Sequence, residues 1–123
     1  MRDSDRVEAV FTGTVLDEME ALPPNEQIRI LKRIALFERK GWSLSAQAED
    51  IERLRGEIWE LRVLGTGPAY RVLFFSIPGN PGRIVVLTSC VANSRAKKHA
   101  VGDAEIERAE RRRQEWLRQQ ERK

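Results

Sequence analysis

The clearest hydrophobic pattern in the chain lies between residues 57 and 91. The run EIWELRV over residues 57–63 alternates, with Ile58, Glu60 and Arg62 on one face and Glu57, Trp59, Leu61 and Val63 on the other. A period of two predicts a half-buried strand. Residues 70–77 are rich in aromatic and β-branched side chains and predict a second strand. Residues 83–91 form an almost continuous apolar run, the pattern of a central strand covered on both faces. The segments GTGP (65–68) and PGNPG (78–82) separate the runs and predict turns. Three strands joined this closely predict an antiparallel meander.

Upstream, residues 8–14 read as a short strand and residues 15–22 as a short helix that stops at Pro23 and Pro24. Asn25 is then placed to cap a second helix running to about Lys40. Ile28, Leu31, Ile34, Ala35 and Phe37 give that helix an apolar stripe, and Gly41 ends it. Residues 42–50 read as irregular, with a helical turn around 46–48. After the meander, residues 93–102 form a basic loop, and Asp103 is placed to cap a last helix over about 104–119. The order predicts an α+β fold, an antiparallel β-meander carrying an N-terminal strand, a helical hairpin and a C-terminal helix. At 123 residues, the chain reads as one domain with a single core, residues 1–123.

Composition narrows the chemistry. One cysteine, Cys90, and one histidine, His99, leave no disulfide framework and no ligand set for structural zinc. No run approaches the roughly 20 apolar residues of a membrane helix, and the N-terminal residues lack the apolar core of a signal peptide. A cytoplasmic protein without membrane association is expected. Net charge is only +3, but it is divided unevenly. Residues 1–52 hold seven basic and eleven acidic residues, and residues 53–123 hold fifteen and eight. A basic half points either to a polyanionic partner or to a solvated basic helix, and charge alone leaves both open.

Arg62 and Arg71 each occupy a strand position, where an arginine needs an acid, an open sheet face or an anionic ligand. A guanidinium fork matches phosphate oxygens; the bland alternative for Arg62 is an ion pair with Glu60 or Glu57. Arg53 and Arg55 precede the second strand, where they either contact a nucleic-acid backbone or are simply solvated. His99 is the one side chain titrating near neutrality and lies in the basic stretch with Arg95, Lys97 and Lys98. Tyr70 either stacks on a base or belongs to the core. Arg112 lies on the last helix among other arginines and either faces a polyanion or packs on the sheet. Cys90, within an apolar run, reads as buried and inert.

The segment LRGEIWELR (54–62), the YRVL strand (70–73), the hydrophobic strand at 84–87 and AEIERA (104–109) together resemble phage-derived HigB-like toxins of the RelE/ParE superfamily of type II toxin–antitoxin systems. The resemblance spans about residues 8–118. It implies a RelE-like fold and a ribosome-dependent endoribonuclease that cuts messenger RNA without a metal or other cofactor and so inhibits translation. It also implies a cognate helix-turn-helix antitoxin that silences the toxin. Such toxins usually carry a histidine and paired lysines after the third meander strand; here Thr88 stands at the histidine position, and Ala92 and Asn93 at the lysine pair. The catalytic set implied is Arg62, Arg71, His99 and Tyr70, with Arg53, Arg55, Arg95, Lys97, Lys98 and Arg112 as RNA contacts. Two other readings stay open: a non-enzymatic toxin-like protein that keeps antitoxin binding, and a ParE-like gyrase inhibitor.

Overall fold

The alternation over residues 57–63 and the apolar run over 83–91 become the middle of a five-stranded sheet. The computed structural model of the protein describes residues 1–64, 67–93 and 101–122. A 3-10 turn, Asp3–Asp5, leads into β1 (Val7–Phe11), α1 (Gly13–Glu20), α2 (Pro24–Lys40), α3 (Trp42–Gln47), β2 (Ile51–Arg55), β3 (Ile58–Val63), β4 (Ala69–Pro78), β5 (Arg83–Asn93) and α4 (Asp103–Glu121). Strand order is β1-β5-β4-β3-β2. The β3, β4 and β5 strands form the expected antiparallel meander, β2 extends it antiparallel at one edge, and β1 joins β5 in parallel at the other.

Helices cover both faces, which is why β5 is apolar without alternation. On one side Val15 and Met19 of α1 and Ile30, Ile34 and Phe37 of α2 pack on Leu61, Val63, Val72, Phe74, Val85 and Leu87. On the other, Ile106 and Ala109 of α4 pack on Ile58, Leu73, Phe75 and Val86. Trp116 closes this second layer edge-on to Phe75, ring centroids 5.7 Å apart.

Several local expectations change. The first strand ends at Phe11, because Thr12 turns the chain and its hydroxyl accepts the Val15 N–H as the cap of α1. Asn25 does not cap α2: Pro23 holds the cap position and Pro24 the first turn, where its missing N–H costs nothing. Asp103 is the first residue of α4 rather than its cap, which is Gly102. Residues 42–50 hold a helix, α3, and residues 51–55 a strand, β2, so Arg53 and Arg55 lie within a strand rather than before one. Two glycines are required. Gly41 (φ 81°) and Gly82 (φ 80°) take left-handed backbone, and a Cβ on either would lie within 3 Å of the carbonyl oxygen of Asp5 or Arg6.

The β4–β5 ladder carries a bulge. Leu73 pairs with Ser89 and Phe74 with Leu87, so Thr88 is the extra residue. The insertion resets the alternation: Leu87 and Cys90, three apart, both face the α1–α2 layer. The Thr88 carbonyl accepts from Thr14 Oγ1 of α1 at 2.9 Å and from Arg112 Nη1 of α4 at 3.0 Å. The same Arg112 nitrogen donates to Ser89 Oγ (2.9 Å) and Glu18 Oε1 (2.9 Å), and Glu18 Oε1 also accepts the Cys90 N–H at 3.1 Å. One guanidinium thus ties α4, α1 and β5 together.

Arg112→Gln is therefore expected to lower stability by about 1–3 kcal/mol, the cost of stranding a charged hydrogen-bond partner. Arg118→Gln, whose side chain is 58% exposed and pairs, among the described residues, with Glu115, is expected to stay within about 0.5 kcal/mol of the parent. Urea unfolding followed by circular dichroism measures both. Cys90, expected to be buried, is half-buried against the same layer. Burial, and then the Glu18 carboxylate, push its thiol up to about 12. Iodoacetamide at pH 8 is expected to leave Cys90 unmodified in the folded protein and to alkylate it readily in urea, because only the thiolate reacts.

Candidate functional site

Strand register brings four charged side chains together on the sheet face that α4 partly covers. Arg62 of β3 lies directly opposite Arg71 of β4, and Glu60 of β3 directly opposite Glu52 of β2. Like charges placed opposite each other destabilise a sheet. Here the two like pairs are offset by one another. Arg62 Nη2 donates to Glu52, Arg62 Nε lies 3.6 Å from Glu60 Oε1, and Arg71 Nη1 lies 3.4 Å from Glu60 Oε2. Among the described residues the ion-pair partners of Arg62 are Glu52 and Glu60 and not Glu57, and its Nη1 also donates to the Glu49 carbonyl at 3.3 Å. Exposure is graded across the group: side-chain exposures are 6% for Glu60, 11% for Arg71, 25% for Arg62 and 55% for Glu52.

The backbone beneath the group is fixed from the opposite face. The Arg62 N–H donates to the Asp50 carbonyl at 2.9 Å, and its own carbonyl accepts from Arg33 Nε at 2.9 Å. Arg33 and Lys40 of α2 both pair with the Asp50 carboxylate, at 2.6 and 2.5 Å. The apolar stripe of α2 seats that helix on the sheet, and its basic edge then holds the start of β2 and the end of β3.

Glu60 is the most constrained member. Burial pushes its carboxyl above the ordinary range, Arg71 and then Arg62 pull it back down, and Glu52 pushes it up. Its Oε2 and the Nε of Arg62 are buried without a hydrogen bond. Two guanidiniums on neighbouring strands, with one carboxylate wedged against both, have the donor geometry to hold an anion with several oxygens. Arg62 also lines a depression of about 480 Å³ with Glu49, Glu52, Arg53 and Trp59. A separate groove of about 370 Å³, between the β2–β3 turn and α4, is lined by Arg55, Ile58, Ile106 and Arg111 and contains neither Arg62 nor Arg71.

The remaining candidates fall elsewhere. Tyr70 is 3% exposed and packs in the α1–α2 layer, on the opposite face from Arg71, with the Arg29 guanidinium 5.4 Å from its ring centroid. Burial raises its phenol above the usual value. Strand alternation separates Tyr70 from the arginine group. Arg53 donates to the Gly56 carbonyl at 2.8 Å, and Arg55 pairs loosely with Asp103 at 3.3 Å. Arg112 pairs with Glu18 at 2.9 Å and donates to the Thr88 carbonyl at the bulge. Arg95, Lys97, Lys98 and His99 lie outside the described residues. Glu60 and Glu52 are the members that sequence reasoning did not assign to the site; the signal for Glu60 was its place two residues before Arg62 on the same strand face.

Comparison with known proteins agrees with this architecture. One chain of the toxin–antitoxin complex RelBE2 from Mycobacterium tuberculosis superposes with a TM-score of 0.51 at 17% identity, covering 70% of this chain and 96% of that one. A YoeB/ParE toxin from Agrobacterium tumefaciens (TM-score 0.46, 15% identity, 71% and 99% coverage) and the archaeal RelE–RelB complex from Pyrococcus horikoshii OT3 (0.46, 19%, 75% and 98%) also align. At these identities the first of the three speaks for the fold, which is that of RelE-like toxins. No curated protein sequence matches the chain. A family model described as Phage derived protein Gp49-like (DUF891) matches residues 17–114. With about four-fifths of its length inside that match, the chain belongs to the phage-derived Gp49-like family.

Proposed function

We propose that this protein is the toxin of a type II toxin–antitoxin pair, a HigB-like endoribonuclease that cuts messenger RNA on the ribosome. The observation that carries the reading is Arg62 opposite Arg71 on one sheet face, with Arg62 opening onto the depression shared with Arg53. Metal-free RNA cleavage uses the 2′-hydroxyl as internal nucleophile, so the protein's largest task is to stabilise charge on the phosphate oxygens. Two forked guanidiniums suit that task better than point charges do. His99 is the group of this chain suited to move a proton near neutral pH, with Arg95, Lys97 and Lys98 as RNA contacts beside it. A cognate helix-turn-helix antitoxin completes the proposed system in the cytoplasm. No helix among the described residues is long and apolar enough to cross a membrane.

A second reading has its own support. The arginine pair is neutralised by Glu60 and Glu52, and Tyr70 and Arg112 are held in the fold. Those features suit a toxin-like protein that binds an antitoxin without cutting RNA. Arg71→Lys separates the two, because a lysine keeps a cation beside Glu60 but lacks the fork. The ribonuclease reading expects purified wild type to cut a ribosome-bound message at defined positions, read by primer extension. It expects Arg71→Lys to do so about 10²-fold more slowly, the scale for removing one transition-state donor, with its melting curve nearly unchanged. Equal cleavage by both proteins removes Arg71 from the site. Intact message with arrested growth and broken DNA points to a gyrase inhibitor, and intact message with antitoxin binding alone to the non-enzymatic reading.

A further inference from the structure

Glu60 stands out as a carboxylate whose side chain is 94% buried, on the same face as the two arginines and in contact with both. A buried charge is tolerated when it is paired, and here one acid serves two cations. The charged groups facing it are Arg62 on its own strand, Arg71 on β4 and Glu52 on β2. From α4, Ile106, Ala109, Trp116 and Leu117 enter the layer on this face and the Arg113 guanidinium lies 5.9 Å from the Phe75 ring centroid; among the described residues no charged group of that helix forms an ion pair with Glu60. Glu60 therefore occupies, from inside the sheet, the negative position that a phosphodiester would occupy from outside.

We propose that Glu60 is an internal counter-anion: it holds Arg62 and Arg71 in the free protein, and it takes up a proton when an RNA phosphodiester claims the two guanidiniums. The inference rests on the reading of Arg62 and Arg71 as the phosphate site and adds a role for the acid between them. The driving force is electrostatic. A phosphodiester that draws hydrogen bonds from both guanidiniums removes the attraction that keeps Glu60 ionised and sets a second negative charge near it. Burial already disfavours its charged form. The carboxylate accepts one proton from solvent and becomes neutral, so the site exchanges one anion for another without gathering excess negative charge. Binding and proton uptake are then linked, and affinity rises as pH falls, by no more than tenfold per pH unit for one proton. Glu60 is a positioning residue in this scheme, since it acts on the phosphate through the arginines.

The probe is a short single-stranded oligonucleotide with 2′-O-methyl riboses, which binds as RNA does but lacks the nucleophile. Isothermal titration at pH 6 in buffers of differing ionisation enthalpy counts the protons taken up. Wild type is expected to take up more protons than Glu60→Gln, the difference lying between zero and one and belonging to Glu60. Glu60→Gln is expected to bind more tightly than wild type at pH 7.5, by about tenfold, which corresponds to one unit of coupling. Its affinity is also expected to vary less with pH between 5 and 7.5. Equal proton uptake by the two proteins, or weaker binding by a folded Glu60→Gln, overturns the proposal while leaving the phosphate site standing. No binding of the oligonucleotide to wild type, with or without Arg71→Lys, overturns the phosphate site and this inference together. If Glu60→Gln does not fold, the carboxyl carbon shift of Glu60 in labelled wild type decides. A shift to the protonated position on adding oligonucleotide at pH 6 supports uptake, and an unmoved resonance refutes it.

Discussion

The three layers of this protein are registered by one guanidinium. β5 is the second strand of five and is covered on both faces, so a bulge in it leaves backbone groups that water cannot reach. The Thr88 carbonyl is the group at stake, and its donors come from opposite sides: Thr14 from α1, Arg112 from α4. Glu18 answers the Arg112 charge and takes the Cys90 N–H. Hydrophobic packing alone would allow either helix layer to slide along the sheet. A buried carbonyl that needs both layers at one point does not. The Arg112 contact has the further effect of withdrawing a cation from the surface, which lowers the charge available to a polyanion along α4.

The meander was legible because its signals are local. Alternation over residues 57–63, an apolar run over 83–91 and two Pro/Gly turns fix strand type and order without reference to distant residues. The same alternation separates Tyr70, Val72 and Phe74 from Arg71, Leu73 and Phe75, so the burial of Tyr70 away from Arg71 was within reach of a period-two reading. β2 was not. IERLR shows apolar residues only at Ile51 and Leu54, three apart, because the β2–β3 register shifts between Arg53 and Arg55. α3 is six residues long, too short for periodicity to build. The partners of the arginines were hidden for a different reason. Glu52 reaches Arg62 across a strand pair, and Glu18 reaches Arg112 from 94 residues away, and no spacing rule encodes either.

The charge surplus of the second half looks different once the fold is known. Arg62, Arg71, Arg112, Arg113 and Arg118 all have carboxylate partners, and Arg55 has a loose one. The balance of those residues is settled within the described structure. Residues 94–100 are another matter: SRAKKHA holds three basic residues, a histidine and no acid. That stretch follows directly from Asn93, the last residue of β5, and Val91 of the same strand is the register partner of Arg71. A stretch of sequence with basic residues and no acid of its own is therefore joined to the sheet two positions from the register partner of the most buried arginine of the candidate site. A polyanion drawn by long-range charge to the first would meet the forked, short-range donors of the second, and Coulomb attraction and hydrogen-bond geometry would be supplied by different residues. On the proposed reading, a division of labour of this kind would let a site whose sheet residues are nearly neutral among themselves serve a phosphate backbone. The sheet arginines would supply direction, and the basic sequence that follows them would supply charge.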